Sequence, residues 1–241
     1  MKLQKILNRF LRLHPKEIDL SLNRINRLSK ELGYPQDNLK IISITGTNGK
    51  YSTSQILKSI LVEAGYKCNL YLSPHIKKIN ERFVFNNKEI SDNKLCDLLS
   101  EVEIVNKKKP ITFFEILTAA FFLGASRTRA DITILESGLF HRFDACSNIK
   151  ENIASVITPI GLDHLDWLPK TNRTINRVIY EKTSNLLDST IIVGEQSNQK
   201  IINKIKKTIS KNKSQKIIFK KDFNYSINKK KFFYFDKKNK K

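Results

Sequence analysis

Ile41-Ile42-Ser43-Ile44-Thr45-Gly46-Thr47-Asn48-Gly49-Lys50-Tyr51-Ser52-Thr53 orders the reading of this chain. Ile41 to Ile44 is a β-branched apolar run and reads as a buried strand. Two glycines, a lysine and two hydroxyls follow. Gln55 to Gly65 then carries apolar residues at helical spacing, with Gly65 as a stop. Strand, glycine turn, helix is the order a phosphate cradle needs: N–H groups at the helix start face the anion, and the helix dipole favours negative charge there. Lys50 adds a full positive charge, and Ser52 or Thr53 can offer a hydroxyl to phosphate or Mg²⁺. The spacing, Gly-x-x-Gly-Lys-x-Ser, is a variant of the common Gly-x₄-Gly-Lys-Ser/Thr loop.

Working outward, the 241 residues suffice for one large α/β domain. No segment has the ~18 uninterrupted apolar residues of a membrane span, and Met1 to Leu7 threads charges through its apolar positions, unlike a signal peptide. The odd, widely spaced Cys68, Cys96 and Cys146 point to a reducing, cytoplasmic setting rather than a disulfide framework. The net charge of +21 suggests nucleic acid at first sight. Yet residues 200–241 hold sixteen Lys and two Asp, fourteen of those charges, so the body carries about +7 with mixed signs. A solvated lysine-rich tail accounts for most of the excess, and nucleic acid is not expected as a partner.

Residues 1–32 read as helix, interrupted at Pro15 and stopped by Gly33-Tyr34-Pro35. Strands are expected at Lys67–Leu72, Asp131–Glu136, Ile153–Thr158, Ile191–Gly194 and Lys216–Phe219. A hairpin is expected at Phe83–Ile90, turning at Asn86-Asn87. Helices are expected from Ser91, as N-cap, to about Lys107, then at Thr112–Leu123 and at 198–210. Lys229 to Lys238 mixes aromatics with lysines and fits a hairpin strand or a frayed tail. The alternation predicts an α/β fold: a P-loop-type, doubly wound, mainly parallel sheet with helices on both faces. Ligands in such sheets bind beyond the carboxyl ends of strands. Lys50, Ser73, Glu136 and His164 each fall at the end of a different predicted strand.

Ser73, Glu136 and His164 suit Mg²⁺ or Mn²⁺ when nucleotide phosphates complete the shell. Taken singly, Ser73 before Pro74 reads as a turn serine and His164 as a neutral, hydrogen-bonded histidine. No Ser-His-Asp order supports a hydrolase triad.

The motifs Gly46-Thr47-Asn48-Gly49-Lys50, Tyr71-Leu72-Ser73-Pro74-His75, Asn80-Glu81-Arg82, Thr112-Phe113-Phe114-Glu115, Glu136-Ser137-Gly138-Leu139 with Arg142-Phe143-Asp144-Ala145, Ile160-Gly161-Leu162-Asp163-His164 and Glu181-Lys182 together resemble the folylpolyglutamate synthase / dihydrofolate synthase family, within the Mur ligase group. The resemblance implies ATP-dependent amide formation: a carboxylate of folate or dihydropteroate is phosphorylated and L-glutamate attacks the acyl phosphate. It implies ATP contacts from Thr47, Asn48, Gly49, Lys50, Tyr51, Ser52 and Thr53, and Mg²⁺ on Ser73, Glu136 and His164. Lys50, Lys182 and His164 would be catalytic, Lys182 as a carbamate. Thr112, Phe113, Phe114, Glu115, Phe143, Asp144 and Ala145 would line a pteridine pocket.

Three departures stand out: Tyr51 where the family usually has Gly, Phe140-His141 in place of Gly-Gly, and Thr183-Ser184-Asn185 after the lysine. The expected organisation is an ATP-binding domain over 1–225 with a helical N-terminal segment, a Lys/aromatic tail over 226–241, and a C-terminal ligase domain absent or on a separate chain. The alternatives are a Mg-ATP-binding module without turnover and a lysine-rich nucleic-acid-associated protein.

Overall fold

The computed structural model describes residues 2–16, 19–229 and 231–237. Eight strands form one sheet in the order β4-β3-β2-β5-β1-β6-β7-β8. They are β1 Ile41–Thr45, β2 Cys68–Tyr71, β3 Phe83–Phe85, β4 Lys88–Glu89, β5 Ile132–Glu136, β6 Ala154–Ile157, β7 Thr190–Val193 and β8 Lys216–Ile218. β2, β5, β1, β6, β7 and β8 run parallel, while β3 and β4 are antiparallel additions at one edge. The doubly wound expectation holds. β1 sits between β5 and β6, buried on both sides, which is why its sequence is mostly apolar, with only the small Ser43 and the terminal Thr45 polar.

Among the described residues seven α-helices cover the sheet: α1 Lys2–Phe10, α2 Asn23–Glu31, α3 Lys50–Glu63, α4 Asp92–Asn106, α5 Phe113–Ser126, α6 Ile175–Thr183 and α7 Gln199–Thr208. α1, α2, α4 and α5 pack on one face, against Ile41, Tyr71 and Leu135. α6 and α7 lie over Ile157, Ile191 and Val193 further along. α3 covers the opposite face, setting Leu57 and Leu61 on Ile44, Leu70 and Ile134. α5 is apolar all round because it is enclosed all round; Ile116 to Phe122 are all buried.

Two expectations need correction. The N-terminal segment is two helices with an irregular stretch after Phe10, where a continuing helix was expected almost to Pro15. Pro15 disfavours helical backbone at His14, and Asp19 is drawn instead to Arg24. Ser91 occupies the N-cap position of α4, yet its side chain accepts no capping bond. The Asn86-Asn87 turn is as read: both residues adopt left-handed backbone, φ 48 and 70, as a tight hairpin turn requires. The aromatic tail is a hairpin, β9 Phe223–Asn228 with β10 Lys231–Asp236. The boundary expected after Tyr225 falls inside β9, and Lys230 and residues 238–241 lie outside the described residues.

Candidate active site

The turn after β1 is built so that little can change in it. Gly46 has φ 146, and a Cβ there would lie 1.9 Å from Thr158 Oγ1, so only glycine fits. The backbone N–H groups of Thr47 and Asn48 donate to the carbonyl of Pro159 at 2.9 and 3.1 Å. Thr47 Oγ1 bonds the Gly161 backbone at 3.1 Å. The loop after β6 therefore fixes the loop after β1. Thr47 and Asn48, expected as phosphate contacts, spend their backbone donors on this brace. Gly49, at φ 78, caps α3, leaving the N–H groups of Lys50, Tyr51 and Ser52 as the unpaired first turn of the helix. Lys50 is nearly buried, and its Nζ donates to the carbonyls of Gly46 and Thr47 at 3.3 and 3.2 Å. Tyr51 is half-exposed; Gln55 donates to its hydroxyl, one turn up the outer face of α3.

Around this turn the strand ends converge as the sequence indicated. Glu136 closes β5 with 2% exposure, and its Oε2 accepts from the Ser73 N–H at 3.3 Å. Burial pushes the Glu136 carboxyl up to about 7, against the pull of the Ser73 N–H and the Lys50 charge. His164, in left-handed backbone, lies beside Asp163, with Nε2 to Oδ2 at 3.1 Å. Burial holds it below the ordinary histidine range, helped by the charges of Lys182 and Lys50. Lys182 on α6 is fully buried and donates to the carbonyls of Gly46 and Leu139, both at 2.8 Å. Burial, with Lys50 beside it, brings its amine down to about 7. Lys50 thus acts electrostatically on Glu136, His164 and Lys182, which groups residues from the ends of β1, β5 and β6 and from α6.

Among the described residues no three His, Cys, Asp or Glu side chains gather closely enough to hold a metal unaided. Ser73 Oγ, however, is buried without a hydrogen-bond partner. With a carboxylate and an imidazole beside it, that lone oxygen gives a donor set that fits a hard divalent cation sharing its shell with phosphate.

Ser73 and His164 also line a cavity of about 230 Å³ with Thr112, Phe114, Glu115, Phe143, Asp144 and Ala145. The ring of Phe114 lies against Gly138, where a Cβ would meet its Cζ at 2.9 Å. Thr112 and Glu115 form a capping box at the start of α5. Glu115 Oε2 also accepts from Arg24 Nε at 2.9 Å, whereas its buried Oε1 has no partner. Asp144 accepts three backbone N–H groups, from Gly138, Leu139 and Cys146, so it staples its loop; Glu115 is the acid with an open acceptor. Phe113, expected in this pocket, is not part of its lining; it faces the groove beside Leu3, Leu7 and Ile79. Adjacent helical residues point about 100° apart, so Phe113 and Phe114 cannot share a wall. The Phe140 ring centre sits 5.4 Å from Lys182 Nζ and 6.2 Å from the His164 ring centre. His141 is buried behind it, brought down to about 4 by burial and by Lys182, with Nδ1 3.1 Å from Ser137 Oγ.

Sequence reasoning missed Asp19, Leu20 and Arg82 on the cavity wall. Arg82 stood in a polar triplet with no role; Asp19 and Leu20 gave no signal.

A braced glycine turn opening α3 at the end of the central strand of a mainly parallel, doubly wound sheet defines an α/β domain of the P-loop type. Residues 44–241 match the Mur ligase middle domain, and the chain belongs to that family. It is 36% identical over 165 residues to the dihydrofolate synthase/folylpolyglutamate synthase of Escherichia coli, covering 68% of this chain and 39% of that protein. The Bacillus subtilis protein of the same name is 36% identical over 179 residues, covering 71% and 41%. Among solved structures, Escherichia coli FolC in complex with DHPP and ADP superposes with TM-score 0.88 at 29% identity, over 98% of this chain and 56% of that one. The Yersinia pestis bifunctional enzyme complexed with AMPPNP and Mn ion gives 0.87 at 25% identity, again over 98% and 56%. The chain thus spans about two fifths of the curated relatives it matches.

Proposed function

We propose that this chain is the ATP- and pteridine-binding part of a ligase that adds glutamate to dihydropteroate or a folate through an acyl phosphate. The observation that carries the reading is the shared cleft. The phosphate turn with Lys50, the Ser73–Glu136–His164 cluster and the Phe114–Glu115 cavity adjoin one another.

In this reading ATP lies on the first turn of α3, its phosphates on the free N–H groups of Lys50, Tyr51 and Ser52. Lys50 leaves the loop carbonyls for the phosphates, and Ser52 and Thr53 offer hydroxyls. Ser73, Glu136 and His164 hold Mg²⁺, which when bound neutralises phosphate charge. The flat ring stacks on Phe114, and Glu115 Oε1 accepts from a ring N–H. A carboxylate oxygen of the acceptor attacks the γ-phosphorus as ADP leaves. The glutamate amine then attacks the acyl carbon, phosphate departs, and the amine loses a proton. Lys182, neutral in good part near pH 7, is able to take up CO₂ as a carbamate, with release of a proton, and so add an anion beside Lys50. Glutamate is assigned to none of the described residues; a C-terminal ligase domain, continuous or on a separate chain, supplies its site. A second reading is Mg-ATP binding without turnover.

Calorimetry with Mg-ATP tests the first step: the chain binds, and Lys50→Ala abolishes binding. Unchanged affinity in that variant removes the phosphate-turn assignment. Phosphate release with dihydropteroate and glutamate then separates ligation from binding alone.

A further inference from the structure

Arg82 ends a short 3₁₀ turn, Ile79–Arg82, and stands on the cavity wall beside Ser73, Pro74 and His164. It is 9% exposed. Its Nε donates to His75 Nδ1 at 2.9 Å, and its two terminal nitrogens make no hydrogen bond among the described residues. His75 Nδ1 is the acceptor of that bond and so fixes the guanidinium plane.

A buried guanidinium without an anion is costly, and comparably placed arginines here avoid it: Arg24, Arg142 and Arg177 each face a carboxylate. Glu136 feels the Arg82 charge but accepts its hydrogen bond from the Ser73 N–H, not from the guanidinium, and the other acids nearby have partners of their own. Glu81, its neighbour in sequence, accepts the backbone N–H groups of Ile76, Lys77 and Lys78. Of the cavity's own acids, Asp19 and Glu115 pair with Arg24, and Asp144 staples its loop. The wall therefore carries three matched carboxylates and one cation whose planar fork has no counterpart.

We propose that Arg82 is the clamp for the carboxylate of the acceptor substrate, its terminal N–H pair meeting the two carboxylate oxygens side by side. This rests on the ligase reading above, which brings a carboxylate to the Ser73–His164 end of the same cavity. His75 acts through Arg82 as a positioning residue.

The test compares pteroic acid with its methyl ester, which keeps the rings and removes the charge. Each is titrated by fluorescence into the full chain, wild type, Arg82→Met and Arg82→Lys, with Mg-AMPPNP titrated alongside. Wild type binds the acid more tightly than the ester. Arg82→Met weakens the acid about tenfold to a hundredfold, the range for hydrogen bonds to charged groups. It leaves the ester and the nucleotide unchanged, and Arg82→Lys falls between. An equal loss for acid and ester makes Arg82 a structural residue and overturns the clamp. So does an unaltered preference for the acid, or a loss confined to the nucleotide, which would assign Arg82 to phosphate. If wild type binds neither acid nor ester, the ligase reading fails and takes the clamp with it. Binding of both without discrimination refutes the clamp alone.

Discussion

Replacing Glu136 by Gln tests the electrostatics of the cleft in the ligand-free protein. The carboxyl is buried and lies at about 7 in the folded chain against 4.5 when exposed. Between those values the native state binds more protons than the unfolded state. Stability contributed by this group is therefore lost as pH rises from about 4.5 to 7. At about 1.4 kcal/mol per pH unit, the loss is roughly 3 kcal/mol. Glutamine keeps the acceptor for the Ser73 N–H and never ionises. His141, at about 4 in the folded chain against 6.5, works in the opposite sense across much of the same window, so the wild-type curve alone is not diagnostic. The diagnostic quantity is the difference between variant and wild type. Urea unfolding from pH 4.5 to 7.5 without divalent cations measures it. Glu136→Gln gains on wild type by roughly 3 kcal/mol across the window and holds that gain above it. Parallel curves over the whole range would show that Glu136 is not held protonated by burial, and the account of the metal cluster would lose its central member.

Gly46→Ala places a Cβ 1.9 Å from Thr158 Oγ1 on backbone at φ 146. The cost is about 2–4 kcal/mol of stability from strain and overpacking, with at least a tenfold loss of Mg-ATP affinity, read by chemical denaturation and calorimetry. Phe114→Ala removes the stacking face, worth about 1–3 kcal/mol for a flat heterocycle. Pteroate binding, followed by fluorescence, weakens about tenfold to a hundredfold while nucleotide binding stays as in wild type; equal binding of pteroate would place the ring elsewhere.

Most of the sheet was legible because parallel strands buried on both faces are nearly pure apolar runs, as Ile41–Ile44 and Ile132–Leu135 are. Chemistry at their ends was legible because Lys50, Ser73, Glu136 and His164 each close or follow a different parallel strand, β1, β2, β5 and β6. What escaped depended on contacts distant in sequence. Nothing local says that Pro159 takes the N–H groups of Thr47 and Asn48, or that Arg24 reaches both Asp19 and Glu115. Phe113 and Phe114 look alike in sequence; which one meets the cavity is fixed by the angle at which α5 docks. Tyr51, bulky beside a phosphate turn, is accommodated because the second residue of α3 points outward toward Gln55.

One amine fastens two loops. Lys182 Nζ holds the carbonyl of Gly46, in the nucleotide turn, and that of Leu139, whose own N–H is held by Asp144 on the ring cavity. The two halves of the cleft are thus riveted to a common pin in α6. Any shift of one carbonyl lengthens a bond that the other must follow, so with the amine unmodified the two loops move as one piece.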